Sequence, residues 1–143
     1  MRVGTIVVAE DEARQREALA RVVGAWGHRV IAVSGGREVL DVVRREAVDI
    51  VLADLRMPDF GGLDVLREVR DVQPEVGVVL LTAYGSVAEA VEAMKGGAAD
   101  FLAKPVDLDQ LEVVVTRVLE RNELVRENRR LRRRLEATTT GFS

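Results

Sequence analysis

Apolar positions along this chain alternate five times between a short continuous run and a run spaced at three and four residues, the pattern of five strand-helix pairs. Thr5 to Ala9 predicts the first strand, and Leu19, Val22, Val23 and Trp26 mark one face of the helix after it, which Gly27 can end. Arg29 to Val33 predicts a second strand, followed by a helix carrying Val39, Leu40, Val42 and Val43. The third strand, Asp49 to Ala53, runs into Asp54, a loop from Leu55 to Gly62, and a helix with Leu63, Leu66 and Val69. Val76 to Leu81 predicts the fourth strand. Ser86 can cap a helix bearing Val87, Val91 and Met94, and Gly96-Gly97 stops it. Asp100 to Ala103 is the fifth strand, and Pro105 leads into a helix starting near Asp107. Strands this apolar are covered on both faces, so the order predicts a three-layer (βα)5 sandwich.

The last helix outruns that sandwich. Its apolar stripe passes from Leu111 through Val115, Val118, Asn122, Val125, Asn128 and Leu131 to Leu135, and predicts a homodimer paired as a short coiled coil. Residues 1–120 form the expected domain, 121–137 a helical linker continuing it, and 138–143 a flexible tail.

Four of the strands end on chemistry. The residues are Glu10-Asp11, Asp54, Thr82 and Lys104, and in a parallel sheet all four ends meet at one edge, where open α/β sheets bind ligands. Three carboxylates in one pocket repel unless a cation neutralises them. With no cysteine and the single histidine His28, that cation would be held by oxygen, which suits Mg2+. A metal beside a hydroxyl and an ammonium is an arrangement for phosphoryl transfer. No glycine-rich nucleotide-binding motif occurs, so the acceptor is a protein group, and Asp54 at the centre of the edge is the candidate.

Charge refines the picture. Residues 120–143 hold seven arginines against four glutamates, a local +3, which leaves −6 of the net −3 on residues 1–119 and argues against direct nucleic-acid binding there. Lys95 and Lys104 are the only lysines among 21 basic residues, so a lysine at a strand end suggests a need for a compact ammonium. No apolar run approaches the roughly 20 residues of a membrane span, and a cytoplasmic protein without membrane contact is expected. His28 reads as a surface residue, Trp26 as core, Gly61-Gly62 as a tight turn, and Tyr84 as a surface aromatic or part of an output face.

The motifs Glu10-Asp11, Asp54-Leu55-Arg56-Met57-Pro58-Asp59-Phe60-Gly61-Gly62, Thr82-Ala83 and Lys104-Pro105 together resemble the receiver domains of bacterial two-component response regulators over about residues 4–120. The resemblance implies a flavodoxin-like (CheY-like) doubly wound parallel sheet of order 2-1-3-4-5. It implies Asp54 as phosphoacceptor for a sensor histidine kinase, with Asp11, Asp54 and the Arg56 main-chain carbonyl as Mg2+ ligands and Glu10 acting through water. Lys104 would pair with the phosphoryl oxygens, Thr82 would hydrogen-bond one of them, and Thr82 and Phe101 would form the switch. Glu10 stands where an aspartate is commoner, and Phe101 lacks the hydroxyl of the tyrosine often found there. Thr82-Ala83-Tyr84-Gly85-Ser86 and the long basic helix most resemble the NtrC-type subgroup, in which an AAA+ ATPase acting on sigma-54 polymerase and a DNA-binding domain follow. The chain would then be a regulatory fragment, with Mg2+-assisted self-phosphorylation and autodephosphorylation as its only chemistry. The alternative is a Mg2+-dependent phosphohydrolase. Such an enzyme needs an acid or base two residues beyond its nucleophile, where this chain has Arg56, and a substrate cap for which no insertion exists.

Overall fold

The computed structural model describes residues 3–83 and 85–140, with side chains as far as residue 137. Tyr84 and the end of the expected tail, residues 141–143, lie outside the described residues. The elements are β1 (Thr5–Ala9), α1 (Ala13–Ala25), β2 (Arg29–Val33), α2 (Gly36–Arg45), β3 (Ile50–Asp54), α3 (Gly62–Val72), β4 (Gly77–Thr82), α4 (Val87–Lys95), β5 (Asp100–Ala103) and α5 (Leu108–Thr140). The five strands are parallel in the order β2-β1-β3-β4-β5, as expected.

Alternation along each strand sorts the core into two layers. Ile6, Val8, Ile50, Leu52, Val79, Leu81 and Leu102 pack beneath α1 and α5, with Val23, Leu111, Val115 and Leu119 closing that side. Val7, Ala9, Val51, Ala53, Val78 and Leu80 face α2, α3 and α4, meeting Val39, Val43, Val65, Val69 and Ala93. Because the neighbouring positions of one strand serve opposite layers, a register slip by one residue would expose a whole row.

The structure corrects several expectations. Leu111, Val115 and Val118 do not form a free stripe; together with Val114 and Leu119 they are buried against the sheet of their own domain. Asn122, expected to interrupt a dimer seam, is 7% exposed and donates from Nδ2 to the main-chain oxygen of Asp49 at 2.8 Å. The stripe of α4 is reversed: Val87, Val91 and Met94 are exposed, Ala93 is the buried residue, and a capping box of Ser86 and Glu89 secures the first turn. His28 is buried, and its Nδ1 accepts from the Gly4 amide at 3.1 Å; burial lowers its pKa below the usual imidazole value. The α5 backbone stays helical to Thr140, so positions 138–140 of the expected tail are helical.

Beyond Asn122 the helix remains tied to the amino-terminal edge of the sheet. Arg126 pairs with Asp49 Oδ1 at 3.0 Å, and Arg129 pairs with Glu75. Asp49 also accepts the Thr5 amide on Oδ2 at 2.8 Å, so one residue fastens β1, β3 and α5 together.

Candidate functional site

Each strand delivers its chemical residue at the carboxyl edge because the parallel registers bring the ends level. Ala9 lies beside Ala53, Asp54 beside Leu81, and Thr82 beside Ala103. The chain leaves this edge along continued ladder bonds: Leu55 N–H donates to Leu81 O and Lys104 N–H to Thr82 O, both at 2.8 Å. Lys104 precedes Pro105 through a cis peptide bond. The result is one cavity of about 290 Å3 whose wall includes Glu10, Asp11, Asp54, Thr82, Ala83 and Lys104, with Arg56 and Gln15 at its margin.

The Lys104 ammonium organises the polar floor. Nζ is 2.7 Å from Asp54 Oδ2, 2.8 Å from Gln15 Oε1 and 3.3 Å from Glu10 Oε1. Asp54 Oδ1 accepts the Arg56 amide at 3.0 Å. Ligand oxygens of Glu10, Asp11 and Asp54 all lie within 4.8 Å of one another. At that spacing a pair of carboxylates repels by roughly 3 to 4 kcal/mol at an effective dielectric near 20. One lysine cannot offset three such charges.

Protonation shows where the strain falls. Burial, reinforced by Asp54, raises the Glu10 carboxyl to about 7. Burial would raise Asp54 as well, but hydrogen bonds from Glu10, Lys104 and the Arg56 amide outweigh it and hold Asp54 below the usual carboxylate value. The Lys104 ammonium meets the opposite balance: burial would lower its pKa, and Asp54 with Glu10 raises it above the ordinary value. Without a metal and below about pH 7, therefore, the pocket's proton sits on Glu10 and Asp54 stays charged. With Glu10 ionised, its buried Oε2 has no hydrogen-bond partner. An all-oxygen donor set with an unsatisfied buried carboxylate oxygen fits a hard divalent cation.

Thr82 is 3% exposed at the end of β4. Phe101 does not enter the cavity; it is half-buried on the α4 side of β5. The two residues meet at Gly85, where an added Cβ would stand 2.5 Å from Thr82 Cγ2 and 2.8 Å from Phe101 Cζ. Gly62 has a comparable role under the acceptor: a Cβ there would come within 2.8 Å of the Asp54 carbonyl, so the start of α3 approaches Asp54 only because residue 62 is glycine.

Sequence reasoning missed two participants, Gln15 and Arg16, and the side-chain contact of a third, Arg56. Gln15 reaches Lys104 from the first turn of α1, a turn set by the Glu12 carboxylate accepting the Arg14 and Gln15 amides. Arg16 holds the acidic turn by donating to Glu10 O at 2.9 Å. The Arg56 guanidinium turns to Glu89 on α4, 3.1 and 3.2 Å from its two oxygens. Neither Gln15 nor Arg16 carries a residue type or spacing that marks it in the sequence, and the position that marks the Arg56 carbonyl says nothing of its guanidinium.

Comparison with known proteins agrees with this geometry. A family profile described as "Response regulator receiver domain" matches residues 6–116. Transcriptional regulatory protein ZraR of Klebsiella oxytoca is 37% identical over 119 residues, 83% of this chain and 27% of that protein. Regulatory protein AtoC of Escherichia coli (strain K12) is 34% identical over 136 residues, 95% of this chain and 30% of that protein. Among solved structures, NtrX from Brucella abortus superposes with a TM-score of 0.84 at 30% identity, covering 91% of this chain and 30% of that one. A response regulator receiver domain protein from Clostridium thermocellum gives 0.81 at 30% identity, covering 85% and 98%. The chain thus spans under a third of the curated relatives it matches. Receiver domains bind Mg2+ at an acidic pocket, and this chain brings Glu10, Asp11 and Asp54 together in one acidic cluster. Among the described residues no helix is long and apolar enough to cross a membrane. Because the match runs from β1 into α5 and the acidic edge lies where those strands end, the chain belongs to the response regulator receiver domain family.

Proposed function

We propose that this chain is the phosphorylation-controlled receiver of an NtrC-type transcriptional activator, taking a phosphoryl group from a sensor histidine kinase onto Asp54. The observation that carries this reading is the Lys104 ammonium 2.7 Å from Asp54 Oδ2, with two further carboxylates converging on the same point. Asp54 is ionised and its Oδ1 is aligned by the Arg56 amide, so it is ready to form a bond to phosphorus as the donor's phosphorus–nitrogen bond breaks. Glu10, Asp11, Asp54 and the main-chain carbonyl of Arg56 would hold Mg2+, with Glu10 acting through water. When bound, the ion neutralises charge on the transferring group. Lys104 then exchanges its carboxylate partners for phosphoryl oxygens, Thr82 donates its hydroxyl to one of them, and small Ala83 leaves room for the group.

The acyl phosphate so formed is a signal and is lost by slow hydrolysis at the same site. Thr82 and Phe101 convert it into a change at the α4 surface, which controls ATPase and DNA-binding domains expected beyond this segment and pairing of two chains through α5. The absence of an acid two residues beyond Asp54 supports this reading over a phosphohydrolase, because Arg56 holds that place and its guanidinium is engaged by Glu89. A cytoplasmic location and the absence of nucleic-acid contact by this segment accompany the same reading. Incubation with a small acyl phosphate and Mg2+ tests it by intact mass: one phosphoryl group on the native chain and none on Asp54→Asn. Equal labelling of both overturns it.

A further inference from the structure

The amino-terminal edge of the sheet, opposite Asp54, opens into a second cavity of about 270 Å3 between the end of α3, the turns leading into β4 and β5, and α5. Residues 1–119 carry a net −6, yet this cavity is cationic. Arg70, Arg121 and Arg129 line it against one carboxylate, that of Glu75, which leaves two positive charges.

The three guanidiniums are held differently. Arg70 Nη1 donates to the main-chain oxygen of Pro74 at 3.1 Å, and the rest of the group lies over Gly97, where an added Cβ would stand 2.8 Å from Nε. Gly97 has a φ of 97°, so another residue there would strain the turn and displace Arg70 together. Arg129 is shared with Glu75, whereas Arg121 is exposed and makes no ion pair among the described residues. Asn122 lines the same cavity at 7% exposure; its Nδ2 is committed to the Asp49 carbonyl, and its Oδ1 has no donor among the described residues.

We propose that this cavity binds a small hydroxylated organic dianion, a phosphate monoester or a short dicarboxylate. Two uncompensated guanidiniums match two negative charges, and their planar forks take phosphate or carboxylate oxygens in paired hydrogen bonds. The volume is below the roughly 300 Å3 at which pockets for drug-sized ligands begin, which favours a body of a few carbons, packed on Val118 and Val125, over a nucleotide. Asn122 Oδ1 accepts the ligand hydroxyl. A bound dianion joins α3 to α5 across the edge remote from Asp54, so a metabolite of this class steadies the long helix without entering the phosphoacceptor cavity.

The full 143-residue chain, in chelator and low salt, tests this by titration of its backbone amide resonances with glycerol 3-phosphate and with malate. Acetate serves as the monoanion and inorganic phosphate as the dianion without an organic body. At least one organic dianion should shift the Gly77, Gly97 and Ala99 amides saturably, at least about tenfold more tightly than acetate, and the stronger of the two identifies phosphate or dicarboxylate as the source of charge. Arg121→Ala should weaken that binding about three- to tenfold without lowering the melting temperature, because the side chain it removes is exposed and unpaired. Glu75→Gln should tighten it about two- to fivefold by releasing Arg129. If neither organic dianion shifts these amides below about 10 mM, or if acetate or inorganic phosphate binds as tightly, the site is overturned. A response that Arg121→Ala leaves intact, or that Glu75→Gln weakens, overturns it equally.

Discussion

The Phe101 ring occupies the space that a side chain on Gly85 would need: Cζ and Cε1 would stand 2.8 and 2.9 Å from an added Cβ, and Thr82 Cγ2 closer still at 2.5 Å. One missing methyl therefore keeps the residue beside the acceptor and the aromatic of β5 in contact with the same backbone point. Gly85→Ala should cost about 1 to 3 kcal/mol of stability through overpacking and should slow phosphorylation of Asp54. Shortening either neighbour should recover part of the loss, with Thr82→Ser the sharper rescue because it removes Cγ2 and keeps the hydroxyl. Urea denaturation and labelling rates of the single and double variants measure this. Additive effects would sink the steric account.

Lys104 holds Asp54, Glu10 and Gln15 at once, so Lys104→Ala should leave two carboxyl groups facing each other without their cation. The metal-free protein should lose about 1.5 to 3 kcal/mol of stability, the scale of hydrogen bonds to a charged group. Mg2+ should return much of it. Labelling should fall by at least about tenfold, since the cation that meets the phosphoryl oxygens is gone. An unchanged labelling rate would remove Lys104 from the reaction.

Glu10 makes the metal-free protein sensitive to pH in a defined direction. Its carboxyl titrates near 4.5 in the unfolded chain and about 7 in the folded one. Above pH 4.5 the unfolded chain releases this proton while the folded chain keeps it, so stability falls as pH rises from 4.5 to 7 and the loss is complete above that. Thermal melting in chelator should show this decline, and Glu10→Gln should flatten it. Saturating Mg2+ should also flatten it by favouring the ionised form. A native profile that rises through the same window, once Asp54 is ionised, would contradict the assignment.

Asn122 and Asp49 predict that α5 can be loosened without touching the acidic cavity. Asn122→Ala removes the donor to the Asp49 carbonyl and should cost about 1 kcal/mol. Asp49→Ala removes the acceptor of the Thr5 amide and the partner of Arg126 together, and should cost more. Hydrogen exchange of the α5 amides beyond Val118 should quicken in both variants while phosphorylation of Asp54 keeps its rate. Equal protection in mutant and native chains would show that other contacts seat the helix.

The parts of the fold and site that were legible in sequence are those where one local pattern determines the outcome. Continuous runs such as Val51 to Ala53 fit only a strand covered on both sides, and parallel strands put Glu10, Asp54, Thr82 and Lys104 at one edge without further information. Helix periodicity is weaker, because it marks a face without saying what covers it. Leu111 to Leu119 and Val87 to Met94 have similar spacing, yet the first meets the sheet and the second meets solvent. Which occurs depends on where β5 directs the chain. Asn122 and His28 were misjudged for a related reason: their partners are main-chain groups of Asp49 and Gly4, distant in sequence, and a backbone partner leaves no mark in residue type. Gln15 and Arg56 owe their contacts to turn geometry, which spacing alone does not give.

The unbroken α5 helix also imposes an arithmetic on whatever is joined to it. Its azimuth is set at the sheet by Asn122, Arg126 and Arg129, and each further residue turns the attachment point by about 100°. Inserting a single residue after Arg129 would therefore swing an attached module to another side of the domain while lengthening the helix by only about 1.5 Å. Inserting seven would bring it back within about 20° of its starting direction. Grafts made at this helix should tolerate changes of length in steps of seven and fail at the steps between, so phase, more than distance, governs which junctions transmit a signal.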